Sequence, residues 1–291
     1  MKVALLYPLR DGRDALANWA RALARHCKHH EVRLSDGRDV GAGDTVFLIT
    51  QGENYPRALM DTAIAELTSL QIPFGVVHNE DNPGVPTPGE YPSFCWTERA
   101  KQNLAAYRPV LARQPVLPPC VVYSPMPLYV STFGIIEDKK QTRAMAHWCK
   151  QHDIPFTAFG PEALAAPYAG YLGDLERDGA RYVLYPWQDH VEGLAPLFYR
   201  TSHFLFVLPQ SKGGTGGSPT SPRYASAFCR PVVVIDDERT FEQDGYYVSP
   251  SLDELKPAAL ENMAPPWYHW TPDAYVDRLV AETREWWGGR R

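Results

Sequence analysis

The chain has 291 residues, of which 44% are apolar, 22% charged and 12% aromatic, and its formal net charge is −5. That length suits two compact domains better than one, and the apolar share excludes a disordered polymer. Unbroken apolar runs such as 204–208 and 232–235 are far shorter than the ~18 residues that cross a bilayer, so no membrane span is expected. The first thirteen residues hold too short an apolar stretch for a secretory leader, and a cytoplasmic protein is expected. Five cysteines, Cys27, Cys95, Cys120, Cys149 and Cys229, are scattered without a C-x-x-C pair, which suits reduced thiols better than a disulfide frame or a zinc knuckle. The negative total gives no overall pull toward nucleic acid, but 1–128 carries 13 basic and 13 acidic residues against 16 and 21 in the remainder. A polyanion is therefore repelled less by the first part.

In chain order, 2–7 is an apolar run with strand character, and 14–27 sets Leu16, Trp19, Ala20, Leu23 and Cys27 at helical spacing, with Asp14 as a candidate cap. Strands at 31–34 and 45–50, a helix at 57–70 and a strand at 73–77 follow; the last is apolar on both faces, as in a buried parallel sheet. A short strand at 94–96 and a helix at 98–107 lead into 108–127, whose six prolines and lack of helical period predict an interdomain connection. The same alternation then restarts, with strands at 129–136, 156–159, 182–184, 204–208 and 231–235 and helices at 140–152, 191–199 and 219–228. A terminal helix at 272–287 aligns Tyr275, Leu279, Val280, Thr283 and Trp286 on one stripe. Repeated strand and helix alternation predicts an α/β protein of two Rossmann-like domains, 1–128 and 129–268, with 269–291 packing back on the first.

The order of the short motifs resembles the two-domain glycosyltransferases of the GT-B fold, particularly the retaining, nucleotide-sugar-using group 1 type. Phe74-Gly-Val-Val-His78-Asn-Glu-Asp-Asn-Pro83 resembles that family's strand ending in His-Asp, and Thr97-Glu-Arg-Ala-Lys-Gln-Asn-Leu104 its following helix start. Ser131-Thr-Phe-Gly-Ile-Ile-Glu-Asp-Lys-Lys140 resembles the first strand of the donor domain. Tyr182-Val-Leu-Tyr-Pro-Trp187 resembles the base-contacting strand and loop, and 221–234 the last donor-domain helix and strand. Two features depart from the family pattern. Ile135 stands where an arginine commonly follows the donor-domain glycine, leaving Lys140, and Gly216 and Tyr224 stand where a pair of glutamates is common. The resemblance implies a metal-independent transferase that takes a nucleotide-diphosphate sugar, UDP-linked by preference, and no resident cofactor.

Lys212-Gly-Gly-Thr-Gly-Gly-Ser218-Pro219 is the strongest local signal. Gly213, Gly214, Gly216 and Gly217, with Ser218, let backbone N–H groups approach an anion just before a helix starts at Pro219. The same composition also suits a surface loop. Lys140, Lys212 and Arg223 are the candidate cations for the leaving diphosphate, with Gly134 beside it and Trp187 flanking the nucleobase or packing in the core. His78 ends a buried parallel strand, where open α/β sheets put their ligand crevice. In the resembled family it would contact the donor sugar, while Glu80, Asp81 or Asp11 would act as base on the acceptor hydroxyl; each also fits an ordinary loop role. Arg10 and Gly12 would face the acceptor, either a saccharide or a hydroxymethylated base in duplex DNA. His26, Cys27, His29 and His30 have metal-ligand types but read as a solvated helix end, and Arg21, Arg25 and Lys28 as a solvated basic stripe. The rival reading is a non-catalytic binding protein on the same scaffold, favoured by the absent arginine and glutamates.

Overall fold

The computed structural model describes residues 1–6, 15–50, 57–79, 85–115, 127–162, 165–186, 191–208, 220–236, 241, 245–266 and 270–289. Of the expected site residues, Arg10, Asp11, Gly12, Glu80, Asp81, Trp187, Lys212, Gly213, Gly214, Gly216, Gly217 and Ser218 lie outside them. The chain divides into two compact units. One takes in the described residues up to Pro115 and from Trp270 onward, the other those from 127 to 266.

The first unit is a six-stranded, wholly parallel sheet: β1 (Lys2–Leu6), β2 (Glu31–Ser35), β3 (Asp44–Thr50), β4 (Phe74–His78), β5 (Ser93–Cys95) and β6 (Val110–Leu111), in the order β2-β1-β3-β4-β5-β6. Every residue of β3, β4 and β5 is buried, as a sheet covered on both faces requires. Helices α1 (Ala15–His26), α2 (Arg57–Ser69) and α3 (Glu98–Asn103) connect the strands. Thr97 caps α3, its hydroxyl accepting from the Ala100 N–H at 3.0 Å. The proline-rich stretch expected to be pure connection contributes β6, whose Val110 and Leu111 pair with Phe94 and Cys95. Pro109 only forbids a ladder donor at its own position, so a strand starts immediately after it.

The second unit repeats the plan with β7 (Val130–Phe133), β8 (Phe156–Pro161), β9 (Arg181–Tyr185), β10 (His203–Val207), β11 (Val232–Ile235) and β12 (Tyr247–Ser249), all parallel, in the order β12-β11-β10-β7-β8-β9. Its helices are α4 (Thr142–Gln151), α5 (Ala169–Arg177), α6 (Val191–Leu194) and α7 (Thr220–Ala225). The strand expected to reach residue 136 stops at Phe133 because Gly134 takes φ +118°, a left-handed conformation that glycine tolerates and a strand does not. The helices expected over 191–199 and 219–228 tighten into 3₁₀ turns at Ala195–Phe198 and Ser226–Phe228. In the first of these, Pro196 lacks the N–H that an α-helix interior needs.

Two aromatic clusters fill the layers. Phe133, Phe198, Phe204 and Phe228 pack together in the second unit, four pairs edge to face and two tilted, with ring centroids 5.0–6.3 Å apart. In the first unit Trp19 meets Trp96 at 4.9 Å and Tyr275 at 5.9 Å, both T-shaped. Tyr275 belongs to α8 (Pro272–Gly288), the terminal helix, which packs on the first unit as expected. Its buried stripe is Tyr275, Val276, Leu279, Val280 and Thr283. Trp96 Nε1 donates to the Tyr275 hydroxyl at 2.8 Å, and Trp287 Nε1 donates to the Phe74 carbonyl at 3.0 Å. Among the described residues, no helix is long and apolar enough to cross a membrane.

Candidate functional site

In a doubly wound sheet the chain leaves one central strand to each side, and the crevice opens beyond the carboxyl ends where it reverses. In the second unit that point lies between β7 and β10: β7 is followed by β8 on one side, while β10 pairs on its other side. A cavity of about 30 Å³ occupies it, bordered by Gly134 and Ile135 after β7, Lys140, Thr142 at the start of α4, and Ser221 of α7. Gly134 makes this approach possible. Its N–H donates to the Phe159 carbonyl at 3.0 Å, and a Cβ there would stand 3.1 Å from the Ser221 hydroxyl oxygen. Thr132 brings another hydroxyl to a lining that also holds the apolar Ile135 and Phe206.

Gly134 and Lys140 are thus brought to one cavity, and Ile135 lines the same cavity where the resembled family carries an arginine. Arg223 does not line it. Its guanidinium is 2% exposed and lies over the rings of Phe241 at 4.4 Å and Tyr246 at 5.2 Å, a stacked setting that guanidinium tolerates better than ammonium. The Tyr246 hydroxyl donates to the Pro222 carbonyl at 3.2 Å, so both residues hold the start of α7 from the side. Ser221, Thr132 and Thr142 are the residues that reading the sequence missed. Thr142 and Ser221 stand at helix starts and Thr132 in β7, where hydroxyls are commonplace, and only the cavity they share distinguishes these.

In the first unit, β1 and β3 flank the corresponding switch point. His78 closes β4, paired in register with Thr50 on one side and Cys95 on the other. It is fully buried; Nε2 lies 3.3 Å from the Ser93 hydroxyl, and the Tyr107 ring packs across it at 5.0 Å between centroids. Burial pushes its pKa down to about 3, so the imidazole is neutral at physiological pH. A neutral ring of this kind makes hydrogen bonds but takes up protons poorly. Nδ1 has no hydrogen-bond partner among the described residues.

The end of α1 is solvated at His29, as expected, but it is also paired to α8. His29 Nδ1 and His30 Nε2 meet the two oxygens of Asp277 at 2.8 and 2.7 Å, and Asp273 accepts from the Lys28 and His29 N–H groups at 2.6 and 2.8 Å. The cluster docks α8; among the described residues no group of three or more His, Cys, Asp or Glu could hold a metal ion. Cys27, Cys95, Cys149 and Cys229 are free thiols. Burial pushes Cys95 and Cys149 up to about 12, which leaves them protonated packing groups and not nucleophiles.

No protein-family model and no curated protein sequence matches the chain. Among solved structures it is similar to AviGT4, a glycosyltransferase involved in avilamycin A biosynthesis, at 16% identity over 99% of this chain and 98% of that one, with a TM-score of 0.55. It is also similar to the UDP-forming α,α-trehalose-phosphate synthase from Burkholderia xenovorans in complex with glucose-6-phosphate, at 11% identity over 94% of this chain and 76% of that one, with a TM-score of 0.51. The α,α-trehalose 6-phosphate synthase from Burkholderia multivorans gives 11% identity, 94% and 74% coverage and a TM-score of 0.52. At such identities the likeness is one of fold, and the fold is GT-B.

Proposed function

We propose that this chain, with its GT-B fold, is a glycosyltransferase that moves a sugar from a nucleotide-diphosphate donor to an acceptor hydroxyl. The cavity at the switch point of the second sheet carries this reading, because it joins a lysine and hydroxyl groups at the position where open parallel sheets bind their ligands. When the sugar leaves, negative charge grows on the distal phosphate. Donors already aimed at it stabilise that charge without reorganising during the reaction. Lys140 supplies the cation at the rim, and the glycine-rich stretch 212–218 is proposed to supply backbone N–H groups. This division of labour makes the transfer metal-independent, since Lys140 and backbone N–H groups would do what a divalent ion does. A UDP-linked donor is the proposed co-substrate, in keeping with the trehalose-phosphate synthases of like fold, one of which is described as UDP-forming.

The acceptor is assigned to the first unit, with Glu80, Asp81 or Asp11 as the base; His78, fully buried under Tyr107, supports the end of β4 and does not reach the sugar. The acceptor is a saccharide or a hydroxymethylated base in DNA. A second reading, a nucleotide-sugar-binding protein without turnover, is favoured by Ile135, which gives the cavity an apolar wall. A panel of nucleotide sugars, scored for thermal shift and for release of nucleoside diphosphate with glycan or hydroxymethylated duplex DNA present, tests all three. Binding with release supports transfer, binding without release supports the second reading, and salt-sensitive release on DNA alone selects that acceptor. No thermal shift with any nucleotide sugar refutes both.

A further inference from the structure

We propose that β9, at one edge of the second sheet, is a dimerisation strand that pairs antiparallel with the β9 of a second copy of this chain about a two-fold axis through Val183. A sheet edge presents a row of backbone N–H and C=O groups that another strand can complete, and folded chains blunt it with a short strand, a proline or charged side chains. Three of the four described edge strands are blunted in those ways. β6 has two residues and follows Pro109, β12 has three, and β2 carries Glu31 and Arg33, the latter ion-paired to Asp39 and Asp44. β9 is the exception. It has five residues, Arg-Tyr-Val-Leu-Tyr, β-branched and aromatic with a single charge, and among the described residues it pairs with β8 alone. Val183 and Leu184 are each 37% exposed and, as neighbours in a strand, point to opposite faces, so this edge leaves apolar surface uncovered on both.

Charge complementarity selects a second copy as the occupant and the antiparallel arrangement as its orientation. A two-fold axis through Val183 sets Arg181 opposite Tyr185 of the second copy. A parallel, in-register pair would instead stack Arg181 on Arg181, which like charges oppose. In the antiparallel pair the cation meets the other end of the neighbouring edge, where Tyr185 pairs with Pro161 and Glu162 follows at once. Arg181 and Glu162 are exposed, and neither side chain has a partner among the described residues. Their backbones would lie two strand spacings apart, about 10 Å, a gap that the two extended side chains span together, and the symmetry makes the pair twice. The helix above leaves room. α5 packs on β9 and lines a groove shared with α4 through Tyr171, Leu175 and Asp178. Helical spacing puts Ala169 and Gly173 on its other side, and a Cβ at Gly173 would meet nothing within 4 Å.

The test is sedimentation of the full chain over a concentration series, alongside Val183→Lys, Arg181→Glu, Glu162→Arg and the double variant carrying both charge reversals. The parent chain should sediment as a dimer that dissociates in the micromolar range or below, as interfaces of ordinary size do. Val183→Lys puts two cations face to face on the axis and should weaken the dimer at least ~100-fold, since like-charge contact across an interface is that costly, with a circular dichroism spectrum like the parent's. Each single charge reversal should weaken it about 10-fold, and the double variant should regain the parent's affinity. A parent chain that stays monomeric overturns the proposal, and the edge would then be open to a strand of another protein. A dimer that Val183→Lys leaves intact overturns it as well, because the interface would lie elsewhere. A double variant no tighter than the single ones overturns the antiparallel register. If Val183→Lys fails to fold, the charge reversals, which alter exposed side chains only, decide the matter by themselves.

Discussion

His78 is enclosed by Ser93, Tyr107 and the neighbouring strands, and its neutral state is a property of the folded chain alone. Once unfolded, the same imidazole titrates near its ordinary 6.5. A group whose pKa is depressed by folding stabilises the native state above its unfolded pKa, and that stabilisation is lost as pH falls from 6.5 toward 3. Chemical denaturation at pH 7 and pH 5 should therefore show a stability loss of about 2 kcal/mol attributable to this ring, on 1.36 kcal/mol per pH unit. His78→Gln should abolish that component; an unchanged pH dependence in the variant would contradict the burial argument. The position of His78 was legible, because four apolar residues before it mark a buried parallel strand whose end is the crevice edge. Its enclosure was not, since strand periodicity does not show what covers the strand end. Arg223 shows the same limit from the other side. A lone arginine beside a glycine-rich stretch reads as a phosphate ligand until Phe241 and Tyr246, both distant in sequence, are found against it.

Among the elements, α8 packs against β4 and α1. It comes so close to β4 that a Cβ on Gly75 would stand 3.1 Å from the Thr283 hydroxyl, and the Phe94 ring of β5 would be 2.8 Å away on its other flank. Gly75→Ala should destabilise the first unit by about 1–3 kcal/mol through overpacking, measured by thermal or chemical denaturation. At the other end of the helix, the hydrogen bond to Asp277 raises the pKa of His29. Burial opposes the shift in Asp277, but His29 and His30 hold it below the ordinary carboxylate range. His29 therefore favours docking below its unfolded value of 6.5, with the benefit lost as pH rises through its raised folded pKa. Asp277 favours docking above 3.8, with the benefit lost as pH falls through its lowered one. Backbone exchange protection in α8, taken relative to the intrinsic exchange rate at each pH, should be greatest between those limits, and Asp277→Asn should flatten the profile. Both sheets and this helix were readable from apolar periodicity and spacing. The missed elements were those with weak patterns: β6 and β12, too short to show alternation, and α5, whose Gly170 and Gly173 blunt a helical signal carried by the buried Leu172 and Leu175.

At the scale of the whole molecule, each unit has its own sheet and its own buried apolar cluster. Scanning calorimetry should resolve two transitions. A nucleoside diphosphate should raise only the one belonging to the second unit, because a ligand stabilises what it binds; a single transition shifted as a whole would argue against independent cores. The first unit is discontinuous in the chain, since α8 is joined to it only after the second unit has been spelled out. Ribosomal synthesis runs in that order, so the nascent first unit waits through the making of the entire second one with Trp19, Trp96 and Phe74 still lacking the helix that covers them. Domains otherwise mature N-terminal first. Here the sequence of events is inverted: the second unit can finish while the first is still open, and chaperone demand falls on the half of the protein that emerges earliest.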